Sequence, residues 1–391
     1  MKALFDYISL KALDPGALDL TVVTIAKKLK VSFVIMLIAF FFAPPPIEKL
    51  TYRFWLNDRY KAFSEQINGT YNSADYNIES HESKLSFRIV PSLIGKLSFS
   101  KDPQTQMIFL YIVQVIFGFF SILVLLNAIY ESTKDWLFAK LIVTGLMLTH
   151  LGSSFFYDIS FFLDGFPFFL MILAMFAPST ALSVLFLFIG FWCDERVLMG
   201  GVGVVFFRNY RELQNLKFWN FVFSKNVVLF LLSVAVYVGI RMWLTYYQQV
   251  SIPLGSSSGV GFSAIWVQRN TIPIAQLFTF EFYWLYIFPM LFFFFERSKT
   301  LAAFIFLYLV VAIGLTGIVM DVMRSVNYLF PVIILGIFIY YGQESRKKTN
   351  EIALFGAVMN LLIPNYRYFV HFFIVIPLPI KLIQMYFETG M

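Results

Sequence analysis

The residues of this chain most able to do chemistry are a few carboxylates and arginines that interrupt long apolar stretches. The clearest group is Asp194-Glu195-Arg196, which stands between two apolar runs with no Gly or Pro before it. Charged side chains in apolar surroundings are costly and often mark substrate pathways. These three are therefore expected either to pair with one another or to face a watery cavity. We favour a role for them in a functional site.

Other isolated charges follow the same pattern. Asp321 and Arg324 are three residues apart, so on a helix they share a face and can neutralise each other. Asp164 begins an Asp-Gly-Phe-Pro sequence, which is typical of a turn at the end of an apolar run. Asp158 lies shortly before that turn. Glu281 lies within an apolar run, where we expect it to pair with a neighbouring polar group.

The composition places these charges in a membrane protein. Hydrophobic residues make up 59% of the 391 positions and charged residues only 14%, far from the balance of soluble domains. The net charge of +7 is explained by basic cytoplasmic loops, so a nucleic-acid partner is not expected. The single cysteine, Cys193, excludes an intramolecular disulfide, and three scattered histidines make a histidine metal site improbable.

The apolar runs predict an all-α polytopic membrane protein with about 10 to 12 spans and a cytoplasmic N-terminus. The pair of runs at 179–192 and 196–207 is too short for two ordinary spans and suggests a broken or re-entrant helix. The runs are 31–46, 106–129, 137–154, 158–176, 179–192, 196–207, 226–246, 273–295, 300–320, 325–341, 352–363 and 368–386.

Basic residues support this topology, because they recur in the loops assigned to the cytoplasm. These are Lys134 and Lys140, then Arg208, Arg211, Lys217 and Lys225, then Arg297 and Lys299, then Arg346, Lys347 and Lys348.

One connection is much longer than the others. Residues 47–105 form a mixed polar loop on the outer side, within a chain that is otherwise a single transmembrane domain over 1–391. Its aromatic residues and helix-like spacing favour amphipathic helices lying on the membrane. Apart from Glu281, which lies near the middle of a predicted span, the isolated charges described above also fall on the outer side, so we expect an outward-facing polar cavity.

In these respects the chain resembles the GT-C superfamily of polytopic glycosyltransferases, with a cytoplasmic N-terminus, a large first outer loop and an acidic outer site. The resemblance covers the topology of most of the chain. It is carried by the sequences Asn57-Asp58-Arg59-Tyr60, Phe87-Arg88-Ile89-Val90-Pro91-Ser92-Leu93, Asp194-Glu195-Arg196 and Asp321-Val322-Met323-Arg324.

The resemblance implies that a carboxylate of the first outer loop acts as the catalytic base, and the match by position is Asp58. The acidic pair found in several members of the superfamily is absent, which leaves Glu48, Glu82 or Asp158 as substitutes. Asp194 and Glu195 are further catalytic candidates. The residues expected to bind substrate are Arg88, Arg196, Arg269, Asp321, Arg324 and Asp158.

The implied reaction transfers a sugar from a polyprenyl-phosphate carrier to a glycan or lipid acceptor on the periplasmic or outer face of a bacterial inner membrane. Arginines would stabilise the leaving phosphate. Relatives with and without a divalent metal ion exist, and these carboxylates have no recognisable ligand spacing that decides between them. Two alternatives stay open: a transporter or flippase of a lipid-linked or amphiphilic substrate, and a polymerase or ligase of surface polysaccharide.

Overall fold

The computed structural model describes residues 18–44, 58–72, 87–158, 163–212, 217–248, 265–266, 268–319, 321–363, 366–369, 371–374, 376–380 and 383. This part of the chain is helical apart from one antiparallel hairpin. The helices are α1 (Leu18–Phe42), α2 (Asp58–Asn68), α3 (Ile89–Gly95), α4 (Pro103–Thr133), α5 (Trp136–Leu148), α6 (His150–Phe156), α7 (Gly165–Phe176), α8 (Thr180–Phe191), α9 (Val197–Glu212), α10 (Phe218–Val222), α11 (Lys225–Gln248), α12 (Ile272–Phe280), α13 (Ile287–Arg297), α14 (Lys299–Thr316), α15 (Val322–Asn327), α16 (Phe330–Gln343) and α17 (Arg346–Leu362). The strands are β1 (Tyr366–Phe369) and β2 (His371–Ile374).

Capping side chains fix where several helices begin. Asp102 accepts a hydrogen bond from the backbone N–H of Thr105 at 2.8 Å, and a proline occupies the first position of α4. Ser179 caps α8 and Ser298 caps α14 in the same way, each accepting from the N–H three residues on. Polar residues between the apolar runs therefore satisfy the first N–H groups of these helices.

Four helical segments among the described residues are long and apolar enough to cross a bilayer: Pro103–Thr133, Lys225–Tyr247, Ile272–Arg297 and Lys299–Thr316. Large apolar side chains on them stay uncovered by protein, for example Leu232 at 58% exposure and Leu307 at 58%. Such surfaces are suited to lipid. The prediction of a multi-pass helical membrane protein is confirmed in this form, while the figure of 10 to 12 spans stays a prediction.

The predicted span 137–154 is not straight. It divides into α5 and α6, which meet at an angle of 70°. Thr149 separates the two helices and accepts a hydrogen bond from the N–H of Leu151, so it starts a new helix inside an apolar run. A Cβ on Gly152 would lie 1.9 Å from the carbonyl oxygen of Met147, so the bend depends on a glycine there.

The pair of short runs at 179–192 and 196–207 forms α8 and α9, separated by a turn that contains Asp194. The 12 residues of α8 reach about 18 Å, well short of the hydrocarbon thickness. The preceding α7 packs closely on α8, and α9 packs on α16 in the interior. These short helices are supported by protein neighbours.

Three other expected boundaries are wrong. The first helix begins at Leu18, so the basic cluster before the expected span 31–46 lies inside it. The expected span 325–341 is divided between α15 and α16. The expected span 368–386 begins in the hairpin of β1 and β2, where Tyr366 pairs with Ile374. Aromatic and β-branched residues are enriched there, and these fit strands well.

The long loop 47–105 contains two helices in its described part, as expected. Phe63 and Ile67 of α2 are buried against Met107 and Leu110 of α4. After α3, the chain exposes apolar side chains, with Phe99 93% exposed. Apolar side chains left uncovered in this way are typical of a segment at a membrane interface.

Candidate functional site

Six charged side chains meet where several helices begin: Arg88, Asp164, Asp194, Arg196, Asp321 and Arg324. They are termed the ion cluster below. Arg88 directly precedes α3, Asp164 directly precedes α7, and Asp194 and Arg196 stand in the turn between α8 and α9. Asp321 and Arg324 belong to the start of α15. Charged residues at the ends of separate apolar runs therefore lie together in the fold.

Asp194 occupies the centre of the first half of the ion cluster. Arg196 donates hydrogen bonds to both of its carboxylate oxygens, with Nε 2.8 Å from Oδ1 and Nη2 2.6 Å from Oδ2. Arg88 donates to the same carboxylate from Nη2 at 3.0 Å. The side chain of Asp194 is 1% exposed, so this carboxylate is closed off by its two arginines.

Asp164 occupies the centre of the second half. Arg324 donates to both of its oxygens, with Nη2 2.7 Å from Oδ1. The third nitrogen of Arg324 donates to Asp321 at 2.6 Å, which confirms the expected contact between these two residues. Arg196 joins the two halves, because its Nη2 lies 3.6 Å from Asp164.

The ion cluster balances three arginines against three aspartates. Burial by itself raises the pKa of the Asp194 carboxyl, but the charges of Arg196 and Arg88 outweigh it and hold the pKa well below its usual range. For Asp164 burial is likewise outweighed, by Arg324, so its pKa is also lowered. Both carboxylates stay ionised and paired, and both are poor proton acceptors in this state.

Neighbouring residues fix the arginines in place. Arg196 donates to the hydroxyl of Ser325 at 3.3 Å, and its guanidinium lies 5.2 Å from the ring centroid of Tyr328. Asp158 shapes the segment before Asp164, because its carboxylate accepts from the N–H of Leu163 at 3.0 Å. These contacts make the arrangement rigid.

The first-loop helix α2 packs into an apolar cluster beside the turns that hold Asp164 and Asp194. Its buried face shares one apolar cluster with Leu163 and Cys193, the residues directly before Asp164 and Asp194. Asp58 is the first residue of α2, and its side chain lies outside the described residues. The structure thus brings the helix of Asp58 to the two turns that hold the central carboxylates.

A seventh charge, Arg241 of α11, lies beside the ion cluster without a carboxylate partner among the described residues. Its guanidinium covers the ring of Phe87 at 4.2 Å, next to Arg88 in the chain. Its Nη1 donates to the hydroxyl of Tyr237 at 3.0 Å, and no hydrogen-bond partner is found for Nε in the described part of the chain. An arginine inside an apolar span is a signal that sequence reasoning could have used.

The other predicted site residues lie apart or make no ion pair. Arg269 is exposed and stacks on Trp266 at 5.5 Å, away from the ion cluster. Glu195 lies within electrostatic reach of Tyr237 but forms no salt bridge among the described residues. Glu48 and Glu82 lie outside the described residues. Asp164 was interpreted as a turn residue, and its partnership with Arg324 could not be read from the local sequence.

Neither a group of metal ligands nor either of the two surface grooves coincides with the ion cluster in the described part of the chain. Among the described residues, no group of three or more His, Cys, Asp or Glu side chains is placed to hold a metal ion. Two apolar surface grooves run along α13, and both are lined by Phe288 and Phe292. Neither groove includes a member of the ion cluster, which is closed by its own ion pairs.

Comparisons with protein-family models, with curated proteins and with solved structures give no match for this chain.

Proposed function

We propose that this protein is a GT-C-like membrane glycosyltransferase that moves a sugar from a polyprenyl-phosphate carrier to a glycan or lipid acceptor on the outer face. The observation that carries the proposal is Arg241 beside Arg88, because its guanidinium has no carboxylate partner among the described residues. An arginine without a carboxylate partner can bind an anion, and a phosphate group fits its planar fork.

The ion cluster as a whole is balanced in charge, but one of its arginines, Arg88, lies close to Arg241. Arg88 gives one nitrogen to Asp194 and lies next to Phe87, the ring under Arg241. A phosphate bound by Arg241 would therefore lie close to Arg88. Negative charge grows on that phosphate when the sugar leaves, and fixed cations stabilise it.

The central aspartates have a positioning role in this proposal. Asp194 and Asp164 are ionised, buried and held by arginines, which makes them unsuited to accept a proton. We therefore assign Asp194 to holding Arg88 and Arg196, and Asp164 to holding Arg324. We assign the base role to Asp58 by its position in the first outer loop; its helix α2 shares an apolar cluster with Leu163 and Cys193, which directly precede Asp164 and Asp194.

The transfer step forms one bond to C1 of the sugar and breaks another. The acceptor hydroxyl oxygen attacks C1 of the sugar, and the bond between C1 and the phosphate oxygen breaks. The electron pair of that bond goes to the phosphate, which the arginines stabilise, and the hydroxyl proton goes to the Asp58 carboxylate. The described residues do not assign a metal ion to this step.

The carrier lipid has an apolar surface to approach along. Leu93, Leu97 and Phe99 are 52%, 58% and 93% exposed, and they lie shortly after Arg88 in the chain. A prenyl chain in the outer leaflet could pack on this surface while its phosphate reaches the arginines. The proposed location is a bacterial inner membrane with the N-terminus in the cytoplasm.

A transporter or flippase is the second candidate, since one specific observation favours it. Broken helices with ionisable residues inside the membrane are typical of transporters, and the segment Ile272–Arg297 is interrupted at the buried Glu281. A polysaccharide polymerase or ligase would share the lipid-linked donor but no observation in the described residues singles it out.

The experiment that tests the transferase measures sugar transfer and donor binding in membranes with polyprenyl-phosphate sugars. We expect Arg241→Gln to weaken donor binding about tenfold or more, the loss typical of a charged hydrogen bond. We expect Asp58→Asn to bind donor normally and to lose turnover. Arg269→Gln is the matched control, because Arg269 is exposed and outside the ion cluster.

The outcomes separate the two candidates. Loss of turnover in Asp58→Asn with intact donor binding supports both the reaction and the base. If the wild-type protein binds no donor and all variants behave alike, the transferase is excluded and the transporter becomes the better explanation.

A further inference from the structure

The membrane-spanning segment Ile272–Arg297 is broken at an acidic residue. Helix α12 ends at Phe280, and residues Glu281–Tyr286 form a 3-10 helix before α13 begins. Glu281 has a φ of 50°, a region that residues with a side chain rarely adopt. Unusual backbone of this kind in a membrane protein is typical of a site.

The carboxyl of Glu281 is buried and has no counter-charge among the residues that the structure describes. The residue is 8% exposed, and its Oε2 has no hydrogen-bond partner in the described part of the chain. The expected polar neighbour that would pair with Glu281 is thus not found among the described residues. An ionised carboxylate cannot remain in such surroundings uncompensated, so a positive charge must accompany it.

The surroundings of the break offer oxygens rather than cations. The hydroxyl of Tyr286, on the same 3-10 segment, and the Oδ1 of Asn360 are also buried without a hydrogen-bond partner among the described residues. Asn360 lies on α17, which packs against the 3-10 segment. Oxygen atoms are the ligands that hard cations prefer.

The titratable groups nearest to Glu281 are tyrosines, and the charged groups of the packed helices stand at helix ends. Tyr283 and Tyr286 lie on the same segment, Tyr283 reaches the carbonyl of Ile142 on α5, and α12 carries no titratable residue. The charged and titratable groups on the packed helices are Lys140 of α5, His150 of α6, Glu296 and Arg297 of α13, Arg324 of α15, Tyr340 and Tyr341 of α16, and Arg346, Lys347, Lys348 and Glu351 of α17. In the described part of the chain, none of them forms a salt bridge with Glu281.

We propose that Glu281 is the centre of a monovalent-cation site inside the membrane, occupied by H⁺ or Na⁺. The site lies at the carboxyl end of α12, where the helix dipole adds negative potential to that of the carboxylate. A small cation neutralises the carboxylate and the negative end of the helix together. The proposal does not depend on the transferase, since it concerns a different set of residues.

The test uses the intact wild-type protein in membranes and the membrane-permeant reagent dicyclohexylcarbodiimide. This reagent modifies protonated carboxyl groups in apolar surroundings, and mass spectrometry locates the adduct. Labelling is followed from about pH 5 to about pH 9, with and without Na⁺, at matched ionic strength. Glu296, which is exposed at the end of the same segment, is the internal control, and Glu281→Gln confirms the assignment.

We expect Glu281 to be labelled and Glu296 to remain unmodified. A fall of about tenfold or more in labelling as the pH rises, with no effect of Na⁺, identifies H⁺ as the ligand. Protection by Na⁺ at constant pH identifies Na⁺. The proposal is overturned if Glu281 is not labelled at any pH, or if its labelling responds to neither pH nor Na⁺, since the acid is then a fixed structural group.

Discussion

Arg324 binds both carboxylate oxygens of Asp164 although 160 positions separate the two residues in the chain. The contact ties the start of α15 to the start of α7, and both side chains are buried. Paired charges in such a place have lost their water, so removing one partner leaves the other without compensation. This relationship makes the ion cluster a determinant of stability as well as a candidate site.

The first prediction concerns that pair. Arg324→Met should lower the free energy of unfolding by about 3 to 5 kcal/mol, because the buried carboxylate of Asp164 then loses its main ion-pair partner. Asp164→Asn should also destabilise, since Arg324 then lacks its main acceptor. The double variant should lose clearly less than the sum of the two single losses. The measurement is thermal unfolding in detergent.

Arg269→Met serves as the control for this cycle, because Arg269 is exposed and makes no salt bridge among the described residues. Its melting temperature should stay near that of the wild type. Strict additivity of Asp164→Asn and Arg324→Met would show that the two side chains do not interact as described.

The second prediction concerns pH and the opposite end of the helices. Asp135 accepts from Arg346 and, at 2.9 Å, from Asn350. Burial alone raises its pKa, but the hydrogen bonds from Arg346, Phe138 and Asn350 outweigh it, so the pKa lies below the usual 3.8. A lowered folded pKa means that the stabilisation is complete above pH 3.8 and is lost as the pH falls through the folded value.

Asp135→Asn should therefore lower the melting temperature at neutral pH, and the difference from wild type should shrink only below about pH 4. Glu351→Gln is the control, because Glu351 forms only a solvent-exposed pair at 3.9 Å with Lys347. A difference that is constant down to about pH 3 would contradict the assignment of this stability to an ionised Asp135.

The ion cluster shows how far sequence reasoning reaches in this chain. Charges that interrupt apolar runs are costly wherever they lie, so Arg88, Asp194, Arg196 and Arg324 were identifiable from type and position alone. Which charge pairs with which depends on long-range packing. The local sequence therefore predicts only a turn at Asp164, although the main contact of this residue is Arg324.

The helix breaks show where the same reasoning fails. From residue 141 to residue 154 the apolar run around Thr149 contains no Asp, Glu, Lys, Arg or Pro, so hydropathy alone predicts one straight span. The break depends on a side-chain cap and on a glycine that admits close backbone contact. The interruption at Glu281 likewise depends on neighbours from distant helices, which no local pattern encodes.

The third prediction concerns topology. Lys101 and Lys134 flank the span Pro103–Thr133, so cysteines introduced there should react with impermeant maleimide from opposite sides of the membrane. Lys348 should react from the same side as Lys134, since Arg346 contacts Asp135. Cys193 is 2% exposed and should stay unreacted until the protein is denatured, so Cys193→Ala is a suitable background. Equal labelling of both flanking positions from one side would exclude a crossing by α4.

The fourth prediction concerns the 70° bend between α5 and α6. A Cβ on Gly152 would lie 1.9 Å from a backbone oxygen, Met147 O, which cannot move aside as a flexible side chain does. Gly152→Ala should therefore force the bend to open and lower the free energy of unfolding by about 1 to 3 kcal/mol.

Gly314→Ala in α14 is the matched control, because nothing lies within 4 Å of the added Cβ. There the same substitution should leave the melting temperature unchanged or raise it slightly, since alanine restricts the unfolded chain more than glycine does. Melting temperatures of both variants in one detergent give the comparison. If Gly152→Ala were as harmless as Gly314→Ala, α6 would not return so close to Met147, and the apolar run 137–154 would be the straight span that its hydropathy predicts.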